Sequence, residues 1–364
     1  MIVIADDITG AAEIAGIAFS KGQEVRLLCS SPVNCDSVAV NGITVIATDT
    51  RSMSEAEAVA ETRHLVRPLF WEGDGGRLLF KKTDSALRGH VVAELTALME
   101  STGYQRAVYL PANPTKGRVI KNGLYYINKV PIHETAFSYD PEFPAKTSVL
   151  KERFPDAEAN GIIMPDAESM DDIRNIIGLY NDGKTLFAGA ADLFSALLEM
   201  TPNDTPHPSS IIPHPSSITP HPSSIILCGS TQSKPLDWDI PIAPMPRDIY
   251  DGNEDISLWD TSAYKEKHSL ILTMPYTHRT GKAAAVHLRT MMARKTKELI
   301  TYHRPDHLII EGGATAWATL QTLGWSQFQI VNQIAPGVVQ MRAENGTYIT
   351  LKPGSYPWGA KGIK

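Results

Sequence analysis

The sequence predicts an α/β protein: two α/β/α domains with mostly parallel sheets and an interdomain cleft. Three observations carry that expectation. Short apolar segments alternate with helix-like ones through both halves of the chain. Polar or glycine-containing turns follow these apolar segments, and a proline-rich repeat of quite different composition divides the halves. The 364 residues exceed one typical domain and suit two, and 43% hydrophobic with 20% charged residues allows sizeable cores.

Taken in order, the first strand is expected at residues 2–5, all apolar, with Asp6 and Asp7 following at once. Thr9-Gly10 then opens a helix over residues 11–21, which stops before Gly22. Further strands are expected at 24–28, 44–47, 78–82, 106–110 and 161–164, and helices at 55–69, 90–101 and 170–180. The second half repeats the pattern, with strands at 225–228, 270–273, 307–311 and 348–351 and an amphipathic helix over about 281–302.

Residues 205–225 are three heptads of the form Thr/Ile-Pro-His-Pro-Ser-Ser-Ile. The period of seven suits a coiled coil, but two prolines per repeat forbid a helix. His207, His214 and His221 are equally spaced, yet an extended proline-rich segment holds them far apart and no accompanying acids orient them. The segment reads as a semi-rigid linker. The expected division is therefore a domain over 1–200, a linker over 201–224 and a second domain over 225–364.

The formal net charge of −6 argues against a general nucleic-acid binder, which would show a basic face. Cys29, Cys35 and Cys228 are too few for a disulfide scaffold. Asp6 and Asp7 interrupt any signal-peptide pattern, and no apolar run reaches the roughly 18 residues of a membrane span. The reading is a reduced, cytoplasmic protein with no membrane partner; a homo-oligomer is compatible with it.

Five polar clusters follow strand-like runs in the first half: residues 6–10, 49–52, 81–89, 111–114 and 166–168. In a parallel sheet they converge on one edge, where open α/β folds place ligands. Arg51 and Arg88 have the fork that grips a carboxylate bidentately. Asp7, Asp49 and Asp84 can accept hydrogen bonds from sugar hydroxyls, one of them acting as general base. The competing account makes these acids helix caps and surface ion pairs. In the second half, turns at 229–231, 312–315 and 352–355 follow strands and can cradle an anion on their backbone amides. There is no Walker motif. Tyr356-Pro357-Trp358 can stack on a base or pack between domains.

Several of these motifs, in this order, resemble the four-carbon acid sugar kinase family. They are Ala5-Asp6-Asp7-Ile8-Thr9-Gly10-Ala11, then Asp49-Thr50-Arg51-Ser52, then Lys82-Thr83-Asp84-Ser85-Ala86-Leu87-Arg88-Gly89. The run from Pro111 through Gly117-Arg118 to Asp140-Pro141 belongs with them, as do Gly229-Ser230, Gly312-Gly313-Ala314-Thr315, Pro336-Gly337-Val338 and Lys352-Pro353-Gly354. The resemblance implies a two-domain α/β/α kinase whose first domain binds a threonate-, erythronate- or 3-oxo-tetronate-type acid and whose second binds ATP, with Mg²⁺ on its phosphates. It implies catalytic roles for Asp7 and Asp84. It places Asp6, Thr9, Asp49, Arg51, Lys82, Ser85, Arg88 and Gly89 near the sugar acid, and Ser230, Gly312, Gly313, Ala314, Thr315, Gly337 and Gly354 near ATP. It assigns no metal ligands.

Two departures stand out. Many family members carry Gly-Gly-Glu-Thr-Ser where this chain has Gly312-Gly313-Ala314-Thr315-Ala316, which removes an acid and a hydroxyl but keeps the backbone cradle. Ala86 stands where threonine is usual. Two rival functions follow from the residues: a phosphatase or other hydrolase with an aspartyl nucleophile in the 6–9 loop, and a sugar-acid sensor that binds without turnover.

Overall fold

The computed structural model describes residues 1–29, 38, 42–70, 78–140, 142–201, 223–230, 238–274 and 281–354. Cys35, His207, His214, His221, most of the three heptads and Tyr356-Pro357-Trp358 lie outside the described residues. The chain divides into two compact units. One holds Met1–Val25 and the described residues from Val38 to Thr201; the other holds Arg26–Cys29 and those from Ser223 to Gly354.

The elements of the first half are β1 (Ile2–Ala5), α1 (Ile8–Ser20), β2 (Val25–Leu28), β3 (Ile43–Ala47), α2 (Glu55–Val66), β4 (Leu79–Lys82), α3 (Val91–Thr102) and β5 (Arg106–Leu110). They continue with β6 (Arg118–Lys121), β7 (Leu124–Ile127), β8 (Val130–Pro131), α4 (Leu150–Arg153), β9 (Ile162–Ile163), α5 (Met170–Tyr180), β10 (Thr185–Gly189) and α6 (Ala191–Met200). In the first unit β3-β1-β4-β10-β5-β9 form a wholly parallel sheet. Its central strands are buried along their whole length, which is why they read as continuous apolar runs. Each fully buried aliphatic side chain there contributes about 1.5–3 kcal/mol relative to exposure. Helix starts are fixed by local chemistry: Ser54 with Glu57 and Ser169 with Asp172 form capping boxes for α2 and α5.

The second half holds β11 (Ser224–Cys228), β12 (Ile242–Pro244), α7 (Arg247–Asp251), α8 (Tyr264–Lys267), β13 (Ser269–Thr273), α9 (Lys282–His303), β14 (His307–Glu311), α10 (Gly313–Leu323), β15 (Gln327–Ala335), β16 (Val338–Ala343) and β17 (Tyr348–Lys352). Strands β12-β13-β11-β14-β17 are parallel, and β17-β16-β15 continue them antiparallel. Ile226, Ile271 and Ile309 of three neighbouring strands meet Ala335 and Val338 from the β15–β16 hairpin in one buried cluster. The end of the third heptad, Ser224 and Ile225, is already part of β11.

Strands β10, β12 and β16 were not expected from the sequence, and the structure departs from expectation in three further places. The strand expected at 24–28 pairs antiparallel with β15, Leu27 opposite Phe328, so Arg26–Cys29 join the second unit's sheet. Strand β15 was not foreseen because Gln327, Gln329 and Gln333 intersperse its buried residues, one of which, Asn332, is itself polar, as in a half-solvated antiparallel strand. The small antiparallel sheet β6-β7-β8 was also unforeseen, although Asn122-Gly123, both at positive φ, is a hairpin signal. Cys29 and Cys228 are free thiols. Among the described residues no helix is long and apolar enough to cross a membrane.

Candidate functional site

In the first unit the parallel strands end level. Ala5 lies opposite Ala47 and Lys82, Gly189 opposite Lys82, and Leu110 opposite Gly189. The polar segments after β1, β3, β4 and β5 therefore leave the sheet at one edge, as four of the five clusters were expected to. The fifth does not join them. Ala167 bridges to Ile120, Asp166 accepts from the Gly123 amide and Glu168 pairs with Lys121, all along the small antiparallel sheet.

Arg51 is the hub of the edge. Its Nε donates to Asp6 Oδ2 at 3.1 Å and its Nη2 to Asp6 Oδ1 at 2.8 Å and Asp7 Oδ1 at 3.0 Å. The same Nη2 lies 3.9 Å from Asp84. A buried network holds the turn that carries it: Thr50 donates to Glu94, which pairs with Lys81. Asp49 precedes that turn at φ 55 and accepts from the Ser52 hydroxyl at 2.6 Å, so its carboxylate shapes the loop. Gly89, at φ +97, lets the backbone pass where a Cβ would stand 3.2 Å from Asp6 Oδ2.

Asp7 caps α1, accepting from the Gly10 amide at 3.0 Å and from the Thr9 hydroxyl. The capping account of this acid is thus correct as far as it goes. A carboxylate has about four lone-pair sites, so Asp7 Oδ2 keeps capacity for a ligand hydroxyl. Of the three acids Asp7 is the most exposed, at 16% against 11% for Asp84 and 3% for Asp6. Asp84 is bound to Arg88 through both arms, Nε to Oδ2 at 2.8 Å and Nη2 to Oδ1 at 3.0 Å, and also takes the Ala86 amide. The fork of Arg88 is therefore occupied by a protein carboxylate, with Asp140 a further 3.6 Å away.

Burial and charge divide the acids. Burial pushes Asp6 up, and Arg51 offsets this only in part. For Asp7 and Asp84 burial is again the largest single influence, but Arg51 together with the Thr9 hydroxyl and Lys82 for Asp7, and with Arg88 and Lys82 for Asp84, outweighs it. Both lie below the usual carboxylate range, and Asp84 far below it. Lys82 donates to the Thr83 carbonyl at 2.9 Å and lies 3.5 Å from Glu13, which also pairs with Lys116. Ser85 accepts from Arg118, and the Tyr125 hydroxyl donates to the Ser85 carbonyl at 2.5 Å. Glu13, Lys116, Arg118, Tyr125 and Asp140 were given no site role from sequence. Four of them lie in the 111–141 run, and its resemblance to the family was the available signal.

In the second unit Cys228, Glu311 and Lys352 end three adjacent strands in register. The turns beyond them interlock. A Cβ on Gly229 would stand 2.0 Å from Thr315 Oγ1, and one on Gly354 would stand 2.0 Å from Ser230 Oγ. Gly312 packs on the Gly229-Ser230 backbone. Helix α10 starts at Gly313 with no side-chain cap and no acid in its first turn, and Ala314 is exposed there. The unsatisfied amides of that turn can receive an anion. Thr315 is buried against Gly229. Gly337 occupies the β15–β16 hairpin turn at φ +78, two residues from Ala335 of the core cluster. Beneath the turns the buried Glu311 pairs with Lys352.

Residues 1–160 match a family model described as a sugar-binding N-terminal domain, and residues 257–356 one described as a nucleotide-binding C-terminal domain. A D-threonate kinase of Salmonella typhimurium is 34% identical over 152 residues, 42% of this chain and 35% of that protein. A D-erythronate kinase of Heliobacterium modesticaldum is 28% identical over 155 residues, 41% of this chain and 34% of that protein. These matches thus span about a third of each relative's length. A 3-oxo-tetronate kinase of Haemophilus influenzae is 23% identical over 97% of this chain and 96% of its own. A solved protein from Haemophilus influenzae shares the fold with a TM-score of 0.67 at 20% identity, covering 98% of this chain and 97% of that one.

Proposed function

The chain belongs to the four-carbon acid sugar kinase family, and from that premise we propose that it transfers the γ-phosphoryl group of ATP to the terminal hydroxyl of a four-carbon sugar acid. The observation that carries this reading is the pairing of two chemistries in one chain. One unit has acids on arginines at a strand-end edge, suited to a polyhydroxy acid. The other has interlocked glycine turns at an uncapped helix start, suited to phosphates.

In this reading Asp7 accepts the hydrogen bond of the acid's terminal hydroxyl and takes its proton as the bond to phosphorus forms. Arg51 keeps Asp7 ionised and fixed, with Asp6 as its anchor. Asp84, held far below the usual carboxylate range, is a weak base and serves as an acceptor that orients a second hydroxyl. Thr9, Lys82, Ser85 and Gly89 line this edge. The amides at Gly229-Ser230, Gly312–Thr315 and Gly354 receive the phosphates of ATP. Among the described residues no group of three His, Cys, Asp or Glu could hold a bare metal ion. Mg²⁺ carried on the phosphates would neutralise their charge.

The test is ADP release by the full chain with a panel of D-threonate, D-erythronate and 3-oxo-tetronates. ADP formation that requires one of these acids supports the reading. Hydrolysis of phosphate esters without ATP would point instead to the hydrolase, and acid binding without ADP to the sensor.

A further inference from the structure

We infer that Arg118, not Arg88, grips the carboxylate of the acid; the inference rests on the reading that the first unit binds such an acid. The cations around the strand-end edge differ in what already holds them. Arg51 is taken by Asp6 and Asp7, Arg88 by Asp84, and Lys82 and Lys116 share Glu13. Arg153 is spent on the carbonyls of Pro144, Leu87 and Phe143. Arg118 donates from Nη1 to the Ser85 hydroxyl and, among the described residues, meets no acid. Its Nε and Nη2 form an open fork.

That fork is held in place. Phe137 lies 5.7 Å from the Arg118 guanidinium carbon and 5.9 Å from that of Arg88, so one ring stands beside two cations. Arg88 has Asp84 and Asp140 to offset its charge; Arg118 is half-buried with no such partner. A carboxylate arriving there would relieve the repulsion between the two guanidinia and complete the bidentate pair that arginine favours. The backbone under Arg118 is fixed as well. It bridges to Asn113 at 2.7 and 3.1 Å, and Asp192 holds the same loop through the Thr115 amide at 2.9 Å and hydroxyl at 2.8 Å. Ser85 links the fork to Asp84, its neighbour in sequence. The acid end of a short substrate would sit at Arg118 and its hydroxyls toward the Asp84–Asp7 side.

The test is calorimetric binding, without ATP, of a four-carbon acid and of the matching uncharged tetritol to the full chain and to Arg118→Lys and Arg118→Met. Arg118→Lys keeps the charge and loses the fork, so acid affinity should fall at least tenfold while tetritol affinity holds. Arg118→Met should remove the preference for acid over tetritol. Unchanged acid binding in both variants would overturn the inference, and so would equal losses for acid and tetritol, which mark a merely structural role. A wild-type chain that binds no four-carbon acid would overturn the substrate reading itself, and this inference with it.

Discussion

Arg51 clamps Asp6 with both arms of its guanidinium, at 3.1 and 2.8 Å, and reaches Asp7 at 3.0 Å with the second. One cation thereby fixes the two adjacent acids that end β1. The three acids in turn raise the Arg51 pKa above its ordinary value against the opposing effect of burial. An ammonium cannot reproduce a two-armed grip on one carboxylate and a contact with the next.

Arg51→Lys should therefore destabilise the fold by about 2–4 kcal/mol, since it leaves buried carboxylates poorly compensated. Urea unfolding of the purified variant measures this. A loss below about 0.5 kcal/mol, the scale of an exposed pair, would mean the clamp does not hold the edge together.

Asp7→Asn separates capping from chemistry. Asparagine can still accept from the Gly10 amide, so the start of α1 survives. Arg51 loses one of its partners but keeps Asp6, which limits the stability cost to about 1 kcal/mol. A proton acceptor has been removed, however, and kcat should fall by roughly 10² or more with little change in KM for ATP. Near-wild-type kcat in a folded Asp7→Asn chain would move the role of base to Asp84 or Asp6.

Asp84 carries a pH signature. Its folded pKa lies far below the ordinary 3.8, because Arg51 and Arg88 outweigh burial. A depressed carboxylate contributes stability that is complete above the unfolded value and is lost as pH falls toward the folded one. The stability gap between wild type and Asp84→Asn should thus be flat from about pH 5 to 8 and narrow as pH drops below about 4. Thermal melts of both proteins across that range provide the measurement, and a gap that widens in acid would contradict the ion-pair account.

Much of the first unit's edge was legible because parallel strands flanked by helices leave long apolar runs, and the acids after 2–5, 44–47 and 78–82 stand out against them. What the sequence could not show is which charges cancel. Arg88 looked like a carboxylate grip, yet only three residues lie between it and Asp84 and the turn they form, with Leu87 at φ 63, closes that pair on itself. Arg118 looked unremarkable because its surroundings are assembled from Ser85 and Phe137, far away in sequence. Arg26–Cys29 could not be assigned to the second unit either, since pairing with β15 is a long-range choice that local pattern does not encode.

The second unit yields a prediction that depends on shape alone. Gly354 and Ser230 are in such contact that a Cβ on Gly354 would stand 2.0 Å from Ser230 Oγ and 2.6 Å from Ser230 Cβ, but 4.0 Å from its Cα. Gly354→Ala must therefore push the two turns apart, and ATP affinity should fall on the order of tenfold as the amides lose their alignment. Ser230→Gly removes both crowding atoms and leaves only the distant Cα. In that background Gly354→Ala should cost less than half of what it costs alone, a non-additivity expected of residues in direct contact. Gly229 provides the contrast. Its Cβ would meet Thr315 at Oγ1, Cβ and Cγ2, with Cβ at 2.6 Å, so Thr315→Ala leaves a clash in place and should rescue Gly229→Ala poorly. Nucleotide titrations and melting temperatures of the single and double variants decide it: strictly additive losses at Gly354 and Ser230 would show that the two turns do not interlock as described.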